Sequence, residues 1–347
     1  MSGLELLAKL HPNDRDRRIR FRSSDHTYHY DHDDEWGSDE DVVITTSTSI
    51  APLVSVTTIT KHFFQEFDPD IVIPCMMRSK NWPNSKYFGN DADTIKQMWK
   101  LKGTKAAYEG TKMHQMIEFY YNHLELTDDL FGKGVRDSPE FRQFNQFACD
   151  ALFNRGMVPY RTEWKVYDDT SGIAGTVDMV YKHVDTSKET AEFSIVDWKR
   201  TRELKEDSAH NRGRMGKGLM RGFPDCNVTK YSLQLNIYRH ILENVYKMKI
   251  REAMIVAIHP ESDTYKIRTV DPTPMRDVVQ KLFAKMRKDR IRSHWKHTIA
   301  ALSAEDDDLI PVTSWFEQSD SESDSAECCD IGGAGGPMPE KPLPCHR

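Results

Sequence analysis

Two aspartates and a lysine, separated by a turn, carry the residue types from which this chain could build reactive chemistry. They lie between Glu163 and Arg200, in EWKVYDDTSGIAGTVDMVYKHVDTSKETAEFSIVDWKR. β-Branched and aromatic residues alternate with polar ones there, and the breaks fall at Asp-Asp-Thr-Ser-Gly and Asp-Thr-Ser-Lys, so the stretch reads as three short strands. Side chains repeat every second residue along a strand. Asp197 and Lys199 therefore share a face with Phe193 and Ile195, while Val196 and Trp198 point the other way. Asp178 shares its face with Thr176 and Val180. If the two strands pair, two carboxylates and an ammonium converge. Asp-x-Lys alone is the ordinary make-up of a solvated face, but carboxylates set among Ile195, Val196 and Trp198 need a partner or a cation. Two close carboxylates repel unless one is protonated or both bind a metal, and hard oxygen donors select Mg²⁺ or Mn²⁺.

Four motifs surround this pair. Gly175-Thr-Val-Asp178 is a G-x-x-D strand and Val196-Asp197-Trp198-Lys199 a (D/E)-x-K strand. Tyr231-Ser-Leu-Gln234-Leu-Asn-Ile-Tyr238 has the form Q-x-x-x-Y, and Gly110-Thr-Lys-Met-His114 the form G-x-x-x-H. In this order they resemble the PD-(D/E)XK nuclease superfamily, within it the RecB-like and lambda-exonuclease-like branch. The resemblance implies an α+β, restriction-endonuclease-like fold, with a central mixed sheet of about four to six strands flanked by helices. It implies phosphodiester hydrolysis with one or two Mg²⁺ or Mn²⁺ ions. Asp178, Asp197, His114 and the backbone carbonyl of Trp198 would be ligands, with Glu163 approaching the metals. Lys199 would position or help deprotonate a water and offset developing charge. Gln234 and Tyr238 would brace the site and contact DNA. The second acidic position holds Asp197 where glutamate is frequent, one methylene shorter.

Composition agrees with a folded domain. The 347 residues are 38% hydrophobic and 29% charged, and no apolar run approaches the length of a membrane helix, so an intracellular, soluble protein is expected. Cys75, Cys149, Cys226, Cys328, Cys329 and Cys345 form no C-x-x-C. That argues against a zinc site or disulfide scaffold. Some members of the superfamily hold an iron–sulfur cluster with one upstream and several downstream cysteines. The downstream ones here sit in a Gly/Pro-rich tail, so no cluster is expected.

The net charge of −6 is unevenly spread. Residues 305–347 carry a net −9, and residues 25–41 hold eight acidic and no basic residues. Residues 42–304 are left with a net +8, which suits a polyanionic partner such as DNA.

The expected domains are residues 1–49, an arm with Arg-rich and acidic segments; 50–303, the nuclease domain; and 304–347, a disordered acidic tail. Within DRDRRIRFR the arginines read as a solvated arm or a phosphate contact. His26, His29 and His32 fit no defined metal spacing and are placed at the surface.

A strand at about 51–57 leads to a helix bearing Phe63, Phe64 and Phe67. Helical signal then runs from Ala92 to Asn122 with a break at Gly103-Thr104, and Glu118 is a candidate acceptor for the His114 ring. A helix from the N-cap Ser138 to Arg155 ends at Gly156. Between Thr201 and Lys230, Arg212, Arg214, Lys217 and Arg221 stand among glycines. This reads as a long irregular loop that either touches a nucleic-acid backbone or is simply solvated. A helix at 231–246, a hairpin at 250–259 and 264–270, and a basic helix at 272–295 complete the domain.

An exonuclease acting in DNA replication, repair or recombination is the reading these features favour. The other readings are a structure-specific endonuclease, and a DNA-gripping module that keeps the fold without the reaction. Intact Asp178, Asp197 and Lys199 favour the enzyme.

Overall fold

The structure is a computed structural model, and it describes residues 6–22, 27–30, 53–122, 124–184, 190–206 and 213–305, the side chains of 128 and 294–305 excepted. The acidic loop at 31–41, His26, His32, Arg212, the acidic tail and Cys328, Cys329 and Cys345 lie outside the described residues. The chain divides into two units, residues 1–290 and 291–347.

In chain order the elements are α1 (Leu6–Leu10), β1 (Ile19–Arg22), β2 (Thr27–Tyr30), β3 (Val54–Ser55), α2 (Val56–His62), α3 (Pro69–Met77), α4 (Ala92–Tyr121), α5 (Asp128–Phe131) and α6 (Pro139–Arg155). There follow β4 (Met157–Asp168), β5 (Ile173–His183), β6 (Glu192–Arg200), α7 (Asn227–Asn244), β7 (Lys249–Ile258), β8 (Lys266–Thr269) and α8 (Arg276–Glu305). The fold is α+β, with a six-stranded mixed sheet between helical layers. Antiparallel pairs join β4, β5 and β6, and parallel pairs join β3 to β5 and β6 to β7.

Alternation along β6 decides which layer each residue meets. Phe193 and Ile195 enter a core with Val56 and Ile59 of α2, Leu235 and Ile241 of α7 and Phe283 of α8. Val196 and Trp198 enter the opposite core, with Met116 and Ile117 of α4 and Phe144 and Phe147 of α6. Trp198 is 1% exposed, and the Phe147 ring meets it edge-on at 5.1 Å.

A strand has two edges, and β4 pairs with β5 along the whole of one of them, from Ile173 to His183. On the other edge β6 pairs only with residues 179–182 and β3 only with 173–174. Between those contacts, at Gly175 to Asp178, the sheet is forked. Gly175 occupies the fork for a steric reason, since a Cβ there would lie 2.6 Å from the Tyr238 ring.

Several sequence expectations are corrected. The strand expected at about 51–57 shrinks to Val54–Ser55, because Ser55 caps α2 by accepting from the Thr58 amide. Phe67, expected on an apolar face, is 61% exposed. α4 runs unbroken through Gly103 for 30 residues, a helix-interior glycine weakening a helix by about 1 kcal/mol without ending it. Residues 213–226 form a built turn instead of an irregular excursion. Met215 bridges Pro224, the Lys217 amide donates to the Phe63 carbonyl at 2.7 Å, and Met220 is fully buried. Among the described residues no helix is long and apolar enough to cross a membrane.

The N-terminal segment packs across the boundary expected at residue 50. Ile19 and Tyr28 are buried with Leu53, Tyr167 and Ala174, and Leu7 is buried against α4 and α6. Arg15, expected in a solvated or phosphate-touching arm, lies 4.1 Å over the Tyr167 ring and pairs with Asp169 at 2.9 Å. Asp16 accepts from both Arg161 and the Trp164 indole at 2.8 Å. Burying Leu7, Ile19 and Tyr28 is worth roughly 2 kcal/mol each. Deleting residues 1–30 is expected to lower the melting temperature by about 10 °C or more; an unchanged melt would show that the segment contributes nothing to this body.

Candidate metal centre

The fork determines where the carboxylates stand. Continuing the register past Met179↔Val196 would set Asp178 opposite Asp197, but the backbone ladder stops there. The Asp178 side chain replaces it, its Oδ2 accepting from the Trp198 amide at 2.9 Å. Across the other edge, Thr162↔Met179 and Trp164↔Val177 bracket Glu163 opposite Asp178. Glu163 has φ 43°, a left-handed conformation costing a non-glycine residue about 1–2 kcal/mol. Strain of this kind is retained where the surroundings over-determine a residue, often at sites of function.

His114 completes the cluster from α4. Its Nε2 donates to the Trp198 carbonyl at 3.0 Å, and its Nδ1 lies 3.4 Å from Glu163 Oε1 and 3.7 Å from Asp178 Oδ2. Ligand atoms of His114, Glu163 and Asp178 all lie within 4.8 Å of one another. With both ring nitrogens so engaged, Glu118 does not hold the ring, contrary to the sequence expectation. Its carboxyl is instead pushed up to about 7, by burial and then by the neighbouring Glu163.

Asp197 stands outside that trio. It is 2% exposed, and Lys199 Nζ lies 2.7 Å from its Oδ2 as an ion pair. Its buried Oδ1 has no hydrogen-bond donor. A buried acceptor left in this state is expensive, by about 1–3 kcal/mol for a neutral group and more for a charged one. Burial raises Asp197 to about 6 against the pull of Lys199, and it raises Asp178 as well. Burial would lower His114, but Asp178 and Glu163 outweigh it and hold the ring at about 9. Lys199 is likewise held protonated by Asp197 and Asp178 in spite of its burial. In the metal-free protein this ammonium is a cation and a hydrogen-bond donor beside Asp197.

Three carboxylates, an imidazole and a backbone carbonyl, with one carboxylate oxygen lacking any donor, fit a divalent cation such as Mg²⁺ or Mn²⁺. These candidate donors come from α4, β4, β5 and β6, so their convergence depends on the tertiary fold.

α7 lies over the same fork. Gln234 Nε2 is 3.4 Å from the hydroxyl of the buried Tyr238, and the Tyr231 ring lies 4.8 Å from Lys199 Nζ. Tyr231 was not expected in the site, although it precedes Gln234 by three residues and Tyr238 by seven, the spacing of one helix face. Tyr28 was missed too. Its hydroxyl meets Thr176 Oγ1 at 2.9 Å, two residues before Asp178, and nothing in HTYHY signals that contact. Of the basic loop, Lys217 and Arg221 are exposed, Arg214 is half-buried and Arg212 is not described. Arg221 Nε donates to the Gly218 carbonyl at 3.1 Å. On α8, Lys281 and Lys285 pair with Asp277 and Asp289 of their own helix, which offsets part of its charge.

No protein-family model matches the sequence, and no curated protein matches it. Among solved structures the chain is similar to an alkaline exonuclease from Laribacter hongkongensis, at 11% identity and a TM-score of 0.26 over 55% of this chain and 84% of that one. It is also similar to a protein titled SSO0001, at 15% identity and a TM-score of 0.19 over 43% of this chain and 55% of that one. Overlaps this loose say nothing about the reaction.

In metal-free protein the His114 ring is expected to titrate near pH 9 by NMR. Because its folded pKa exceeds the ordinary 6.5, the associated stability is fully present below about pH 6.5 and lost as pH rises through 9. Asp178→Asn should move the midpoint back towards 6.5, and a midpoint near 6.5 in the unaltered protein would contradict this electrostatic arrangement.

Proposed function

We propose that this protein is a divalent-metal-dependent deoxyribonuclease of the PD-(D/E)XK superfamily, acting as an exonuclease. The observation that carries this reading is the convergence of Glu163, Asp178 and His114 beside a buried Asp197–Lys199 pair at a fork in the sheet. The four motifs and the net positive charge of residues 42–304 agree with it. The buried Asp197 Oδ1, which has no hydrogen-bond donor, is available to a cation.

Hydrolysis of a phosphodiester requires an aligned water, neutralisation of charge on the pentacovalent phosphorus and an outlet for the leaving oxygen. Glu163, Asp178, Asp197, His114 and the Trp198 carbonyl would hold the cation, and a bound Mg²⁺ or Mn²⁺ supplies Lewis-acid stabilisation of phosphate charge. Lys199, kept as an ammonium by Asp197, orients a water through its N–H donors and offsets negative charge growing at the phosphate. Asp178 holds the β5–β6 fork open through the Trp198 amide, which keeps that carbonyl and the His114 ring in register. Tyr231 and Tyr238 cover the site from α7 and limit bulk water around Lys199.

End-labelled single- and double-stranded DNA should be digested with Mg²⁺ or Mn²⁺ and left intact with EDTA. Asp197→Ala or Lys199→Ala should lower the rate by roughly 10²-fold or more. Wild-type rates in both variants would overturn the assignment. A circular single strand should survive, and its cleavage would favour the structure-specific endonuclease.

A further inference from the structure

We propose that the solvent-exposed N-terminal half of α4 is a binding track for single-stranded nucleic acid that leads to His114, an inference that rests on the nuclease reading for its direction but not for its binding surface. From Lys100 to Tyr108 every residue of α4 is exposed, so over two and a half turns nothing in the described protein covers any side of the helix. Leu101 is 72% exposed and Tyr108 64%. Helices in folded proteins are held mainly by one packed face, and this stretch has none.

The stripe in line with His114 runs, at alternating steps of four and three, through Lys96, Lys100, Gly103, Ala107 and Gly110. Glycine is the poorest helix former after proline, and in helix interiors it commonly makes room for a neighbour. Here a Cβ at Gly103 or Gly110 would meet nothing within 4 Å. The space these glycines leave is not used by the described residues, and both lie on the face that ends at the candidate ligand. Lys100 precedes His114 by fourteen residues, about 21 Å of helix.

Charge and aromatic content identify the occupant. Residues 78–112 hold eight basic and three acidic residues, which suits a polyanion. Beside the start of α4, Phe67 lies 5.5 Å from Trp99, Tyr87 lies 5.8 Å from Trp99, and Phe88, 56% exposed, lies 5.9 Å from Trp82. The exposed Phe67 and Phe88, with the half-buried rings beside them and cations between, match unstacked bases on a phosphate backbone, because every base offers a π-face. A duplex keeps its bases stacked and would leave these rings uncovered. The small-residue stripe would let the sugar–phosphate backbone approach the helix axis, with Lys100 at a phosphate.

The test is fluorescence anisotropy of a labelled 30-nucleotide oligothymidylate on the full chain in EDTA, with thermal melts of every variant. Gly103→Leu fills the track, and Lys100→Glu reverses a charge on it. Each should weaken binding at least tenfold without lowering the melting temperature, and Lys100→Glu should flatten the salt dependence of binding. Affinity within twofold of wild type in both variants overturns the proposal. So does a lowered melting temperature in Gly103→Leu, which would show that the stripe packs within the protein. A blunt 30-base-pair duplex that binds as tightly as the single strand overturns the substrate class. Mg²⁺-dependent cleavage is read separately on the unaltered protein. Absence of cleavage with the binding pattern intact would contradict hydrolysis and leave the track standing.

Discussion

The hydrogen bond from the Trp198 amide to the Asp178 carboxylate is the contact on which the site depends. It stands where a backbone rung between β5 and β6 would otherwise form. A continuous ladder would close the sheet over Gly175 to Asp178 and leave no room for α7 to set Tyr238 against it. Replacing the rung by a side chain satisfies the amide, splits the strands and leaves the Trp198 carbonyl facing the His114 ring. The fork is held by two cores on opposite faces of the sheet. Trp198 and Val196 anchor β6 to α4 and α6, while Phe193 and Ile195 anchor it to α2 and α7.

Electrostatics at the fork are frustrated in one direction. Asp178 and Asp197 are raised by burial, His114 is raised by its acidic neighbours, and Lys199 holds its proton under the pull of both aspartates. Protons thus do part of the work of neutralisation in the metal-free protein, at His114 above all. A divalent cation would replace several of these shifts with direct coordination, which links cation binding to proton release. The left-handed Glu163 adds a second local cost within the same cluster.

Much of this was legible in the sequence, for identifiable reasons. Period-two alternation put Asp197 and Lys199 on one face and Trp198 on the other without reference to tertiary structure. Ser138 and Gly156 bounded α6 because capping is local chemistry. The fork was not legible, since the lengths over which β3 and β6 pair with β5 depend on α7 and on the room left at Gly175. The direction of Glu163 was hidden by a backbone angle that no residue type signals. DRDRRIRFR looked solvated because its charge masks the arrangement in which Arg15 stacks on Tyr167 and Asp16 meets Arg161 and Trp164. Gly103 suggested a break because propensity says nothing about whether a helix is interrupted or only weakened.

Anomalous diffraction from crystals grown with Mn²⁺ tests the central claim most directly, because it locates the ion independently of any activity. The account predicts a peak at the fork in contact with carboxylate oxygens of Glu163 and Asp178, with Asp197 Oδ1 drawn into its shell. A fork without a peak at saturating Mn²⁺, or a peak elsewhere with Asp197 Oδ1 still lacking a partner, would contradict it.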